Sequence, residues 1–273
     1  MTKATPLFDL SGRVAVVTGG YGVLGGSIAS ALAGAGARVA VLGRSQESAR
    51  AKVLGLQEAG GQSMALIADV LDEEQLQLAC QQVVRAWGRV DILVNAAGGN
   101  VSEARTDGVP AFRMSRTAFD DVLRLNLHGT VFPTMVFGEV MAAQKKGSVV
   151  TISSMAAARA VSGVLGYSVA KAAIESFTRW MAVDMARRCG KDIRVNAIAP
   201  GFFVSTQNRS VLINPDGSLT DRARLITQGT PMGRFGDPEE LQGTVLWLCS
   251  DASSFVTGAV IPVDGGFSAY SGV

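Results

Sequence analysis

The sequence predicts a single doubly wound α/β domain with a seven-stranded, mostly parallel sheet and helices on both faces. Three observations carry this. Short runs of β-branched and apolar residues recur along the chain. Between them lie helical stretches of ten or more residues, the length that a crossover between parallel strands needs. The strands also read as continuous apolar runs rather than alternating ones, the pattern of a sheet buried on both faces. Length and composition agree. With 273 residues, 48% of them hydrophobic and 18% charged, the protein can bury one large core, and no linker or low-complexity tract divides residues 1–273.

The first strand is Val14-Ala15-Val16-Val17, closed by Thr18-Gly19-Gly20. A helix follows over Gly25–Gly36, then a strand over Arg38–Leu42 and a polar helix over Gln46–Ala59. The unit repeats as strand Met64–Ala68, helix Asp72–Trp87 and strand Asp91–Val94. The helical region Thr117–Lys145 carries Pro133, whose missing N–H and bulky ring predict a bend there. Strand Ser148–Ser153, helix Leu165–Arg188, strand Ile193–Ala199 and a last strand over Ala259–Val263 complete the series. Residues 201–230 break the rhythm, because a polar and apolar mixture of that length exceeds a plain connection. A surface insertion would look similar, but its place after a late parallel strand favours a lid over a cleft.

Composition removes several classes of function. The 25 basic and 23 acidic residues leave a net charge of +2, so there is no electrostatic footprint for nucleic acid. A single histidine, His128, without a Cys/His cluster argues against a metal site. Cys80, Cys189 and Cys249 are odd in number and far apart, which predicts free thiols in a reducing cytoplasm. The opening MTKATPLFDLSGR lacks an apolar signal core, and no long apolar run follows, so no membrane association is expected.

In an open parallel sheet, ligands bind beyond the carboxyl ends of the strands, where strand order reverses. Here those ends carry Thr18-Gly19, Gly43-Arg44, Asp69-Val70, Asn95-Ala96-Ala97-Gly98, Ser153-Ser154 and Pro200-Gly201. The turn TGGYGVLG, Thr18 to Gly25, joins the first strand to the first helix and includes Gly22, Val23 and Leu24. There, backbone N–H groups and a helix N-terminus can meet a pyrophosphate, although glycine-rich turns also serve packing. An acidic residue at the end of the second strand would accept from a ribose 2′-hydroxyl, as NAD sites require. Arg44 stands there instead; a guanidinium suits a 2′-phosphate, which points to NADP as the preferred coenzyme with NAD as the other, unless Arg44 is a plain surface charge.

Tyr167 and Lys171 are four apart on one helical face. A nearby ammonium favours tyrosinate, making the phenol an acid or base near neutral pH. Such pairs are common on helices. Ser154 ends the preceding strand, where it can bond a substrate oxygen or cap the next turn.

Taken together, Thr18-Gly19…Gly25, Asn95-Ala96-Ala97-Gly98, Asn126, Ser154, Tyr167-x-x-x-Lys171 and Pro200-Gly201 resemble the short-chain dehydrogenase/reductase superfamily from Leu10 to Gly266. The resemblance implies a Rossmann-type fold and specific roles. Tyr167 would be the acid/base, and Lys171 would lower its pKa and hold the nicotinamide ribose. Ser154 would polarise the reacting carbonyl, and Asn126 would anchor a water that passes protons through Lys171. Asp69 and Val70 match the adenine contacts, Asn95 to Gly98 support sheet and coenzyme, and Ser205 takes the place of a threonine that holds the carboxamide. One departure is that Val23 stands where the family turn usually has its second glycine, with Gly22 just before it. The resemblance also implies a homotetramer paired through the helices Thr117–Lys145 and Leu165–Arg188.

A narrower resemblance concerns the substrate. NAAGGN (Asn95 to Asn100), ISSMAA, APGFF followed by QNR (Gln207 to Arg209), PMGRFG and the ending FSAYSGV are similar to one group within that superfamily, the D-mannonate oxidoreductases or fructuronate reductases. It implies a small-molecule sugar-acid substrate, D-fructuronate or D-mannonate. A hexuronate needs a carboxylate clamp, for which Arg209 and Arg159 are the candidates, and hydroxyl partners, for which Asn100, Gln207 and Asn208 are. Gluconate 5-dehydrogenase-like and 3-oxoacyl-carrier-protein reductase activities are the rivals among enzymes. A catalytically silent dinucleotide sensor is the rival from another class.

Overall fold

Along β1 (Val14–Thr18) successive side chains enter different cores: Val14 and Val16 one, Ala15 and Val17 the other, all fully buried. This double burial is why the run is apolar without a break. In the computed structural model, which describes residues 7–272, β1 leads into α1 (Val23–Gly34), β2 (Arg38–Gly43), α2 (Gln46–Glu58), β3 (Ser63–Ile67), α3 (Glu73–Trp87) and β4 (Ile92–Asn95). The second half adds α4 (Arg116–Leu123), α5 (Gly129–Gln144), β5 (Lys146–Ile152), α6 (Leu165–Asp184) and β6 (Asp192–Pro200). It closes with α7 (Arg209–Leu212), α8 (Asp221–Gln228), α9 (Gln242–Cys249) and β7 (Val260–Val263).

The seven strands form one parallel sheet in the order β3-β2-β1-β4-β5-β6-β7, the Rossmann-like arrangement expected. Ile28 and Leu32 of α1 and Val245 and Leu248 of α9 fill one face. Leu76 and Val83 of α3 and Phe137 and Met141 of α5 fill the other. The chain runs outward from β1 to β3 and then returns to the far side of β1, so Thr18 is paired with Leu42 on one side and Asn95 on the other. The carboxyl ends of β1 and β4 therefore part at the switch point, where a ligand has room.

The helical region around Pro133 differs from expectation. Its irregularity is a π-helical turn over Arg124–His128, between α4 and α5, with Pro133 inside α5. The wide turn places Asn126 inward, fully buried, and its Nδ2 donates to the Val122 carbonyl at 2.8 Å. A second π-helical turn, Met185–Cys189, ends the helix expected to run on to Arg188. The 201–230 segment is not a bare connection. Leu212 of α7 and Ala223 and Ile226 of α8 make a small core of their own with Phe202, Val204 and Phe235 packed on it.

Candidate active site

The glycine turn after β1 is built by three close approaches. Gly19 has φ +61°, and a Cβ there would meet Ala97 Cα at 2.9 Å. Gly25 lies so near the Gly19 carbonyl that an added Cβ would overlap its oxygen. Gly22 is the N-cap of α1, with its N–H donating to the Gly19 carbonyl at 2.9 Å. The glycine requirement thus falls on positions 19, 20 and 25, since a Cβ on Gly20 would stand 2.8 Å from the Val17 carbonyl oxygen, and Val23 enters as the first residue of α1. That explains how the turn tolerates valine where the family usually has glycine. A cradle of bare backbone leading into a twelve-residue helix fits a pyrophosphate, since N–H groups and helix dipole both favour an anion. Thr18 Oγ1 accepts from the Ala97 N–H at 3.1 Å, tying this turn to the one after β4.

Arg44, at the end of β2, is 74% exposed, with its guanidinium 3.7 Å from the Asp69 carboxylate. Asp69 Oδ1 also accepts from the Leu71 N–H at 2.9 Å. Val70 is buried beside Gly129, where a Cβ would come within 3.0 Å of it.

After β4 the backbone turns through Asn95, Ala96, Ala97, Gly98 and Gly99. Gly98 (φ +155°) lies between two predicted site residues: a Cβ there would be 2.8 Å from Asn126 Oδ1 and 3.6 Å from Lys171 Nζ. Asn126 grips the next residue from both sides, accepting the Gly99 N–H at 3.0 Å and donating to its carbonyl at 2.7 Å. Its own carbonyl accepts from Thr130 Oγ1, whose backbone carbonyl accepts from Thr134 Oγ1, which in turn accepts from Asn95 Nδ2. This ladder runs from the end of β4 to Asn126. The side chain that the resemblance links to a water is thus occupied with Gly99 and Val122. Thr130 and Thr134 lie outside the sequence motifs, and only their i, i+4 spacing on α5 hinted at them.

On α6, Tyr167 and Lys171 stand one turn apart, with the ammonium 5.3 Å from the phenol ring centre. Lys171 is buried and donates to the Ile152 carbonyl at 2.7 Å, at the end of β5. Ser154 lies near enough to Tyr167 to favour its ionised form. Ser154 also plays its bland role, since its Oγ accepts from the Ala156 N–H and caps the turn Met155–Ala157. Burial pushes the Tyr167 phenol above its ordinary pKa, partly offset by Ser154, and pushes the Lys171 ammonium down to about 7. This corrects the expected direction for Tyr167. Lys171 is buried and Tyr167 half-buried, which penalises each charged form, and the ammonium is spent on a backbone carbonyl.

At the far side, Pro200 ends β6, and Gly201 donates to the Val263 carbonyl at 2.9 Å so closely packed that a Cβ would meet Asp264 Cα at 2.6 Å. Asn208 holds the loop, accepting from the Ser205 N–H at 2.7 Å and donating to the Phe203 carbonyl at 2.8 Å. Gln207 reaches the catalytic turn: its carboxamide lies against Gly99. Arg209 is exposed at the start of α7. Asn100 Oδ1 accepts from the Val101 N–H.

Arg159 does not stand as an open clamp, because its Nε and Nη2 donate to the Ser268 carbonyl at 3.1 and 2.5 Å. The strand-end position that suggested it also brings it under the C-terminal segment. A contact that the sequence did not suggest comes from Arg222 of α8. It donates to the Ser162 carbonyl at 2.9 Å and lies 3.4 Å from Asp107, which also pairs with Arg105. The 201–230 segment is thereby tied to the loop after β4 and to the approach to α6.

Comparison with known proteins places these features in context. The family model described as Enoyl-(Acyl carrier protein) reductase matches residues 22–268. The uncharacterised oxidoreductase UxuB of Bacillus subtilis (strain 168) is 45% identical over 275 residues, covering 97% of this chain and 98% of its own. A solved structure from Haemophilus influenzae, provisionally assigned as a D-mannonate oxidoreductase and holding NAD, is 40% identical with a TM-score of 0.91, covering 97% of this chain and 98% of its own. Another, from Beutenbergia cavernae, is provisionally a gluconate 5-dehydrogenase with NADP at low occupancy; it is 35% identical with a TM-score of 0.86, covering 97% of this chain and all of its own.

Proposed function

The chain belongs to the short-chain dehydrogenase/reductase family, and from that premise we propose that it interconverts D-fructuronate and D-mannonate with NAD or NADP. The observation that carries the reaction is the pairing of Tyr167 with buried Lys171 one turn along α6, the ammonium 5.3 Å from the phenol ring centre and held on the Ile152 carbonyl at the end of β5. A bound nicotinamide coenzyme supplies the hydride in reduction and accepts it in oxidation. Tyr167 Oη gives a proton to the ketone oxygen during reduction and takes it back during oxidation. Ser154 Oγ donates to the same oxygen and favours the charge that develops there. Lys171 holds the coenzyme ribose and replenishes the Tyr167 proton, while Asn126 fixes the turn at Gly99 beside it.

Identity of the sugar acid rests on the similarity to the Haemophilus protein and on Gln207 lying against the catalytic turn. A panel of keto-sugar acids and 3-oxoacyl thioesters, followed by coenzyme absorbance, tests it. Fructuronate should give the highest kcat/KM; preference for 5-ketogluconate or an acyl thioester replaces the reading with one of its rivals. No turnover of any substrate with coenzyme bound favours the silent sensor. Arg209 is our carboxylate clamp. Arg209→Ala should reduce kcat/KM for the acid roughly ten- to a hundred-fold, the cost of a charge-assisted bond, and spare neutral ketoses. Equal loss on both would make it a support of the loop.

The exposed Arg44 reads the coenzyme ribose in this proposal. Arg44→Asp should shift the kcat/KM ratio towards NADH, since aspartate repels a 2′-phosphate and accepts from a hydroxyl. An unmoved ratio removes Arg44 from coenzyme choice. We further propose a cytoplasmic homotetramer that binds neither nucleic acid nor membrane. Val169, Trp180 and Val183 on α6 and Met135 on α5 expose apolar surface on the single subunit, and Cys80, Cys189 and Cys249 are free thiols. Among the described residues, no helix is long and apolar enough to cross a membrane and no cluster suits a metal ion.

A further inference from the structure

We propose that Tyr21 is a coenzyme-discriminating residue that works against Arg44, so that the protein accepts coenzyme without a 2′-phosphate as well as with one. The inference rests on the coenzyme reading above. Tyr21 sits inside the glycine turn after β1, and that turn is joined to β2 by the Gly20 N–H, which donates to the Leu42 carbonyl. From there its ring crosses to the end of β2. A Cβ on Gly43 would stand 2.8 Å from the ring carbon Cζ and 2.9 Å from Oη, so the aromatic ring fills the space above Gly43. Its hydroxyl accepts from the Ser45 N–H at 3.1 Å.

This contact occupies the donor that a phosphate beside Arg44 would need. Backbone N–H groups at the start of a helix are the usual partners of such an anion. Here Ser45 is the N-cap of α2: its N–H is taken by Tyr21, and its Oγ accepts from the Ser48 N–H at 3.2 Å. Glu47 adds a negative charge in the first turn. What remains for a 2′-phosphate is Arg44, whose exposed guanidinium also faces Asp69. A ribose hydroxyl is smaller and uncharged, so it needs neither the space over Gly43 nor the Ser45 N–H. The guanidinium and the phenol therefore pull the choice of coenzyme in opposite directions.

The test is calorimetric titration of ADP-ribose and 2′-phospho-ADP-ribose into the wild type, Tyr21→Ser and Tyr21→Phe. Tyr21→Ser clears the ring and releases the Ser45 N–H. It should tighten the 2′-phosphorylated ligand about ten-fold relative to ADP-ribose, the scale of one charge-assisted hydrogen bond. Tyr21→Phe keeps the ring on Gly43 and releases only the N–H, so its shift should have the same direction and be smaller, about three-fold. Because that variant preserves packing, it decides the matter if the serine variant does not fold. A merely structural Tyr21 would weaken both ligands equally, and an unchanged ratio overturns the proposal. So does a shift towards ADP-ribose, which would make Tyr21 a phosphate ligand. If neither ligand binds the wild type, the coenzyme reading itself falls and this inference with it.

Discussion

Replacing Tyr167 by Phe should lower turnover by ~10²–10⁴-fold, the range of a general acid or base, with coenzyme affinity largely kept. The substitution is a clean one in this site. The ring packs against the buried cluster of Ala104, Ala118 and Val122, and those contacts survive in phenylalanine. What disappears is the hydroxyl, and with it the proton for the substrate oxygen. Steady-state kinetics on the best substrate and a coenzyme titration give both halves of the result. Near-normal turnover would remove Tyr167 from the mechanism, whereas equal loss of turnover and coenzyme binding would indicate a damaged cleft.

Lys171→Met should be comparably severe for activity, by ~10²-fold or more if the ammonium serves the proton relay. Its effect on stability has the opposite sign. An ordinary lysine titrates at 10.5, and burial brings Lys171 to about 7. Between those values the unfolded state binds a proton that the folded state lacks, so wild-type stability rises with pH across that window. Below about 7 the full cost of the buried ammonium is present, and above 10.5 it has vanished. Methionine carries no such charge. The variant loses the bond to the Ile152 carbonyl, about 1 kcal/mol, yet below neutrality it should be the more stable protein because burial of the charge costs more. Its advantage should shrink steadily as pH rises towards the ordinary lysine value. Denaturant unfolding at several pH values checks this; parallel stability curves for the two proteins would show that Lys171 keeps an ordinary pKa.

Sequence alone determined the seven strands, the helical stretches that became α1 to α6, the parallel sheet and the small or polar residues at six strand ends, but not α7, α8 or α9. The reason is local. A sheet covered on both faces demands unbroken apolar runs such as Val14 to Val17, and its turns demand small residues whatever the remaining elements are. The spacing of Tyr167 and Lys171 was legible for the same reason, because one helical turn fixes it. Tertiary structure decided what those residues meet. The π-helical turn at Arg124–His128 could not be read from Pro133, since what it serves is the contact of Asn126 with Gly99, 27 residues away in sequence. Arg159 looked like a free cation until the C-terminal segment brought the Ser268 carbonyl to it across 109 residues. Burial likewise set the titration of Tyr167 and Lys171 against the simple expectation from their proximity. Tyr21 lay in plain view inside the glycine turn, but its partner Ser45 belongs to the next strand–helix junction. Periodicity and turn chemistry act between near neighbours in sequence; desolvation and long-range hydrogen bonds exist only after folding.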